Sequence, residues 1–350
     1  MKRNIHIACC LAVFIRSVSA SLTVEQCTSD DVFFIKSRIN MNIENPNSTW
    51  SFTFTTSSPH LCFAGCKNHK KCLAAVFIQT NQECQLKDFN RFNVTTKMKL
   101  SDDAKLFERT NCQQTVPKET FISIVPRATD CFDVYQKGWK VNGVYGVQAE
   151  SDVYRPTLCE MEIHGGGWTT IQKKFDGSID FSQTWYGYKN GFGDLMGEFW
   201  YGNEIIHQLT NSNDHEILFI LTSGTGQKYY PLYVKFHVDS EVMNYKLTIK
   251  DYVYINKGEF LEMRSQGITQ QSGMAFSTKD VDNDSDASKD CSNDWAHSTG
   301  FWFSDCHFVS LNGQVGVNAI EGLHWMEITG YMCGGSGCLK ETQMLIRKKI

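Results

Sequence analysis

The stretch Asp280-Val281-Asp282-Asn283-Asp284-Ser285-Asp286-Ala287-Ser288 sets four carboxylates at alternate positions shortly before Cys291. That residue type at that spacing suits a hard cation, because calcium takes six to eight oxygen ligands at about 2.3–2.6 Å. An EF-hand loop is excluded, since its glycine would be Ser285 and its closing glutamate Cys291. On composition alone the run reads as a solvated acidic turn. Downstream, Cys291 and Cys306 enclose Trp295, Phe301, Trp302 and Phe303, and His307 follows. Taken by themselves, Trp295 and Tyr331 read as core packing and His307 as a structural histidine.

Catalytic patterns fail on spacing, and the chain reads as a binding protein rather than an enzyme. Gly334-Gly335-Ser336-Gly337 is not a nucleophile elbow, because Cys338 stands where the closing glycine belongs. His215-Glu216 lacks the second histidine of a zinc-protease helix. Ser223-Gly224-Thr225-Gly226-Gln227-Lys228 lacks the spacing of a phosphate loop. The pair Cys333 and Cys338 encloses glycines that let a short loop close as a disulfide; a redox role is poorly supported, since the spacing is not Cys-x-x-Cys.

The elements that must hold these residues follow from the rest of the chain. Lys2 and Arg3 precede the apolar run Ile5 to Ile15, and Val18-Ser19-Ala20 supplies small residues. These are the three parts of a secretory signal over residues 1–20. An N-terminal anchor is the lesser reading, because about 20 apolar residues are needed to cross roughly 30 Å of hydrocarbon. No transmembrane segment is read later in the chain, and the expected location is extracellular. Of 14 cysteines, Cys9 and Cys10 leave with the signal, and 14 − 2 = 12 remain, an even set that reads as disulfides outside the cell. A zinc site over Cys62, Cys66 and Cys72 lacks a histidine pair. The net charge of −4, without a basic cluster, argues against nucleic acid.

Cysteine spacing divides the chain. Residues 21–112 hold Cys27, Cys62, Cys66, Cys72, Cys84 and Cys112, and residues 113–129 read as a linker with Pro117 and Pro126. Ser58-Pro59-His60-Leu61 opens a helix bearing Cys62 and Cys66 on one face. Leu73 to Ile78 reads as a buried strand, with Cys84-Gln85-Leu86 as its hairpin return. Six cysteines allow 15 connectivities. The order of these residues resembles an apple, or PAN, domain. That resemblance implies the pairs Cys27–Cys112, Cys62–Cys84 and Cys66–Cys72.

Residues 130–350 alternate apolar and polar positions at Trp168-Thr169-Thr170-Ile171-Gln172 and Tyr245-Lys246-Leu247-Thr248-Ile249-Lys250, the strand period. With short helices such as Ile205 to Leu209 and glycine-rich turns, they form an α+β domain with an antiparallel sheet. The sequence Cys159-Glu160-Met161-Glu162, Gly165-Gly166-Gly167-Trp168, Asp176-Gly177-Ser178, Phe181, Trp185, Tyr188-Lys189, Gly191-Phe192-Gly193 and Gly197-Glu198-Phe199-Trp200 closely resembles fibrinogen-related domains. The likeness runs over residues 130–347.

Several expectations follow from that resemblance. Phe276-Ser277-Thr278-Lys279-Asp280-Val281-Asp282-Asn283-Asp284 matches the stretch that holds one calcium ion in the family, which implies side-chain ligation by Asp282 and Asp284. Backbone carbonyls near Asp286 and Ser288 complete the protein ligands, although one extra residue lies between Asp284 and Cys291. The implied bridges are Cys131–Cys159 and Cys291–Cys306, with Cys333–Cys338 an addition to the pattern. In the ficolins and tachylectins, lectin members of the family, the bridged loop builds an acetyl pocket. Carried over, it consists of Trp295, a cis Asp305–Cys306 peptide, backbone N–H groups of Cys306 and His307, and Tyr331. This chain departs from it with Trp295 in place of a tyrosine, two extra loop residues and Ala319 where a second tyrosine stands. Ile320 replaces the carboxylate of fibrinogen's polymerisation hole, which disfavours clotting-type assembly.

The function these features imply is a secreted, calcium-supported lectin for acetylated or sialylated glycans, of an innate-immune kind. The alternative is a protein ligand, adhesion or matrix factor of angiopoietin type that binds an extracellular or cell-surface protein and no sugar. Asn47 and Asn93 are the expected glycan acceptors. Homo-oligomerisation is left open, because no coiled-coil or collagen stalk is visible.

Overall fold

The computed structural model describes residues 32–36, 41–44, 51–55, 74–78, 82–87, 97–100, 104–111, 123–124, 127–150, 153–253, 267–295, 298–304, 306, 308–319, 321–330, 333 and 337–349. Residues 1–20, Asn47 and Asn93 lie outside these, as does at least one partner of each disulfide expected in the first cysteine-rich region. Cys84 is described there, and it is buried and disulfide-bonded.

The N-terminal region forms a five-stranded antiparallel sheet in the order Val32–Lys36, Ala104–Asn111, Ala74–Ile78, Glu83–Lys87 and Ser51–Thr55. Its centre is the hairpin read from the apolar run Leu73 to Ile78 and its return at Cys84, with Phe77 opposite Cys84.

A second sheet runs Leu247–Val253, Leu232–Val238, His215–Thr222, Glu341–Lys348, Trp168–Lys174 and Val153–Glu160, antiparallel at every step. Two strands from the N-terminal region extend it: Lys97–Leu100 pairs with Val153–Glu160 through Lys99 and Met98, and Met41–Glu44 pairs with Lys97–Leu100. The end of the stretch read as linker is also structured. Ser123–Ile124 lies parallel to Gly143–Glu150, as suits the β-branched run Ile122 to Val125. Helices among the described residues are short, the longest of them being Asn203–Ser212, which contains the predicted Ile205 to Leu209 segment. The α+β class and antiparallel core are those expected.

Aromatic rings fill the space between sheet and loops. Trp168, Trp200, Trp302 and Trp325 are fully buried, and the Trp302 Nε1–H donates to the Tyr245 carbonyl at 2.7 Å, giving the indole the partner it needs away from water. The glycine run before Trp168 has a steric reason. Gly166 holds φ at 70°, and a Cβ there would stand 2.1 Å from the Met161 carbonyl oxygen. Arg347 closes over this turn, donating to the carbonyls of His164 and Gly166 and pairing with Glu216 at 2.6 Å.

A buried carboxylate organises the next turn. Glu198 has no exposure and accepts the N–H groups of Phe175, Asp176 and Gly177 on Oε1 and of Ile179 on Oε2, at 2.6–3.1 Å. Such saturation is what allows a carboxylate to stay in the interior. The turn it shapes delivers Asp180 to Ser182 toward the acidic loop, where the Lys279 ammonium donates to the Ser182 carbonyl at 2.7 Å.

Candidate metal and recognition site

The alternating aspartates do not act alike. Asp280, though exposed, accepts the Trp185 N–H and the Thr278 hydroxyl, both at 2.8 Å, so it anchors the start of helix Trp185–Asn190. Asn283 fastens the loop to the core, accepting from Asn244 and donating its amide to the Phe276 carbonyl at 2.9 Å. That engagement leaves little room for a glycan on the sequon Asn283-Asp284-Ser285.

Asp282, Asp284 and Asp290 bring carboxylate oxygens within 4.8 Å of one another. Each aspartate is held by local donors. Asp282 accepts the Asp284 N–H at 3.1 Å; Asp284 accepts the Asp286 N–H on Oδ1 and the Cys291 N–H on Oδ2, each at 2.8 Å. Asp290 accepts from Asn293, whose amide also donates to the Lys279 carbonyl. Burial pushes the Asp284 carboxyl above its ordinary range, and the neighbouring Asp282 charge adds to this against the two N–H donors. A dication among the three relieves that crowding, and an all-oxygen donor set suits calcium.

Asp286 and Ser288 were expected to contribute backbone carbonyls; their side chains are engaged with each other and with Lys289. The Asp286 carboxylate is taken up by the Ser288 N–H and hydroxyl and by Lys289 at 3.4 Å. The Ser288 contacts, and then Lys289, hold its carboxyl below the usual range. Asp290 was missed by the sequence reading. Its only signal was position, as the carboxylate next to Cys291 in the segment carrying the extra residue.

The bridge Cys291–Cys306 joins this loop to the aromatic core, with Cα atoms 5.0 Å apart. Cys291 begins one wide turn, Cys291–Trp295, and the Ser285 hydroxyl donates to the Ser304 carbonyl at 2.8 Å beside the bridge. Phe301, Trp302 and Phe303 are buried packing residues. Cys306 adopts φ of 58°, a left-handed conformation that costs a non-glycine residue about 1–2 kcal/mol. Asp305, His307, Tyr331, the expected cis peptide, Ile320 and the Trp295 side chain lie outside the described part of the structure. Ala319 is described, and its carbonyl lies 3.2 Å from Sγ of Cys338. The bridges Cys131–Cys159 and Cys333–Cys338 are present, with Cα separations of 5.4 and 4.7 Å.

A groove of about 380 Å³ adjoins the acidic loop, lined by Asn283, Asp284, Lys246, Val242 and Met243. Val242 is 90 % exposed and Met243 54 % exposed, an apolar knuckle beside the carboxylates. Sequence carried no signal for it.

Comparison with known proteins accords with this geometry. The profile of the family "Fibrinogen beta and gamma chains, C-terminal globular domain" matches residues 127–349, and that of the PAN domain matches residues 42–112. Human angiopoietin-2 is 37 % identical over 262 residues, covering 73 % of this chain and 48 % of that protein. The chain thus spans about half the length of the curated relatives it matches. Among solved structures, the fibrinogen-like globe domain of human ANGPTL6 superposes with a TM-score of 0.56 at 31 % identity, covering 66 % of this chain and 99 % of the other. A lamprey fibrin D-dimer complexed with the peptide Gly-His-Arg-Pro-amide gives 0.53 at 28 %, covering 68 % and 77 %. The chain belongs to the family of fibrinogen C-terminal globular domains and carries a PAN domain ahead of it.

Proposed function

We propose that this chain is a secreted, non-enzymatic protein ligand that binds an extracellular or cell-surface protein, with one calcium ion supporting its binding face. The observation that carries the reading is the 37 % identity to angiopoietin-2 over 262 residues. In this reading Asp282, Asp284 and Asp290 hold the ion by side chains, with carbonyls near Asp286 and Ser288. When bound, the ion supplies positive charge that holds three carboxylates together. Asp284, through the Cys291 N–H, then transmits that order to the bridged loop. The exposed pair Val242 and Met243, next to this loop, offers apolar area to a protein partner.

The acetyl-glycan reading takes second place, because Ala319 removes one expected pocket wall and angiopoietins are among the curated relatives. Binding of the purified full chain to cultured cells separates the two. Loss after trypsin treatment of the cells, with no effect of glycosidases or free N-acetylglucosamine, supports a protein partner. Loss to glycosidases and to the free sugar supports the lectin.

A further inference from the structure

The apolar knuckle beside the acidic loop is held on a strained backbone. One tight helical turn, Glu241–Met243, runs into two consecutive left-handed residues, Asn244 at φ 52° and Tyr245 at φ 48°. Asparagine visits that region readily, whereas a bulky residue such as tyrosine does so only at a cost. Anchors on both flanks offset the cost. The Glu241 carboxylate accepts the Trp185 indole N–H at 2.9 Å and the Lys189 ammonium at 2.5 Å. The Tyr245 hydroxyl donates to Glu204 at 2.9 Å, and its carbonyl accepts from the Trp302 indole. Asn244 donates its side-chain amide to Asn283 of the acidic loop at 3.2 Å, and its carbonyl accepts the Phe276 N–H.

Both flanks of Val242 and Met243 are therefore pinned, and the two apolar side chains stand in solvent between them. Free chain would fold such surface away from water. Here the anchors keep it displayed, and strain that surrounding structure over-determines is a mark of functional segments. Among the described side chains, Met243 and Met196 are the exposed methionines, at 54 and 42 %, whereas Met161 and Met344 are buried. Met196 lies apart, on the turn that the Gly197 N–H closes onto the Asp194 carbonyl.

An exposed thioether has a chemistry that the neighbouring valine lacks. Its sulfur lone pair attacks one oxygen of hydrogen peroxide; the O–O bond breaks, an S–O bond forms and water leaves. Sulfur gives up two electrons and the peroxide takes them. The product, a sulfoxide, is polar and chiral where the thioether was apolar and flexible. On a surface that must be desolvated to bind, that change opposes association. We propose that Met243 is a reversible oxidation site, whose conversion to the sulfoxide by hydrogen peroxide weakens binding of the protein partner. The inference rests on the protein-ligand reading, since it takes the knuckle as part of the binding face.

The test is limited oxidation of the full chain with hydrogen peroxide, followed by peptide mass mapping and cell binding on the same samples. Met243→Leu and Met196→Leu remove one thioether each while keeping an apolar side chain of similar volume. Each chain is compared with its own untreated binding. The expected result is oxidation of Met243 and Met196 ahead of Met161 and Met344, with an unchanged melting temperature. Binding of the unaltered chain falls roughly tenfold or more and returns after treatment with methionine sulfoxide reductases for both epimers. Met243→Leu keeps its affinity through the peroxide, and Met196→Leu loses it as the unaltered chain does. Oxidation of Met161 or Met344 before Met243 overturns the proposal. So does full oxidation of Met243 with binding unchanged, or an equal loss in Met243→Leu; the protein-ligand reading survives these results. Absence of trypsin-sensitive cell binding before any oxidation overturns that reading, and this proposal with it.

Discussion

The Asp284 carboxylate accepts the backbone N–H of Cys291 at 2.8 Å, and this one bond ties the acidic loop to the Cys291–Cys306 bridge. The acidic loop and the bridged loop are therefore mechanically one unit. A change in occupancy at the carboxylates is felt at the bridge because the shared bond is short, partly buried and charge-assisted.

Asp290→Asn is expected to weaken calcium binding by roughly tenfold or more, since it removes one of three carboxylates from the cluster. Asp280→Asn leaves calcium affinity unchanged, because Asp280 faces Trp185 instead. Calorimetric titration of both variants checks the contrast. Equal losses in the two would contradict the division of roles among the aspartates.

Glu198→Ala is expected to destabilise the fold by about 3–5 kcal/mol, the range for removing one partner of a buried ion pair. Four N–H groups lose their acceptor and Lys174 loses its counter-charge. Urea unfolding followed by tryptophan fluorescence measures this. A cost under about 1 kcal/mol would mean that water replaces the carboxylate.

Replacing Cys333 and Cys338 together by serine should cost about 2 kcal/mol, the loop-entropy value for so short a ring. The loss falls on the backbone around Ala319, against which both sulfurs rest. Hydrogen exchange reads it as faster exchange at residues 317–322.

Burial pushes the His215 imidazole below its ordinary value, with the Asn213 carbonyl and Asp130 opposing and Lys348 assisting. A depressed folded value contributes stability that is present above about pH 6.5 and is lost as pH falls through the folded value. Melting temperature is therefore expected to drop between about pH 7 and pH 5.5, and less steeply in His215→Gln. The carboxylates that the fold holds low, Asp133 and Asp286, lose their contribution only in the acid range below this window. Parallel slopes in the two proteins would contradict the assignment.

Local pattern made much of this fold readable. The alternation at Trp168 to Gln172, the helical face at Ile205 to Leu209 and the hairpin at Cys84 are short-range signals, and each became the element expected. Long-range pairing is where sequence reading stops. Asp280 belongs with the metal loop by spacing, yet its partner is an N–H 95 residues away. Asp290 joined the cluster only because the chain folds back after Ser288.

The central claim, a calcium-supported ligand for a protein partner, is tested most directly by cell binding of the full chain with calcium and with EDTA, alongside Asp284→Asn and Val242→Glu. The account predicts saturable binding that EDTA and each substitution weaken by roughly tenfold or more, that trypsin treatment of the cells abolishes, and that free N-acetylglucosamine leaves untouched. Binding that survives trypsin and EDTA, or that yields to the free sugar, would contradict it.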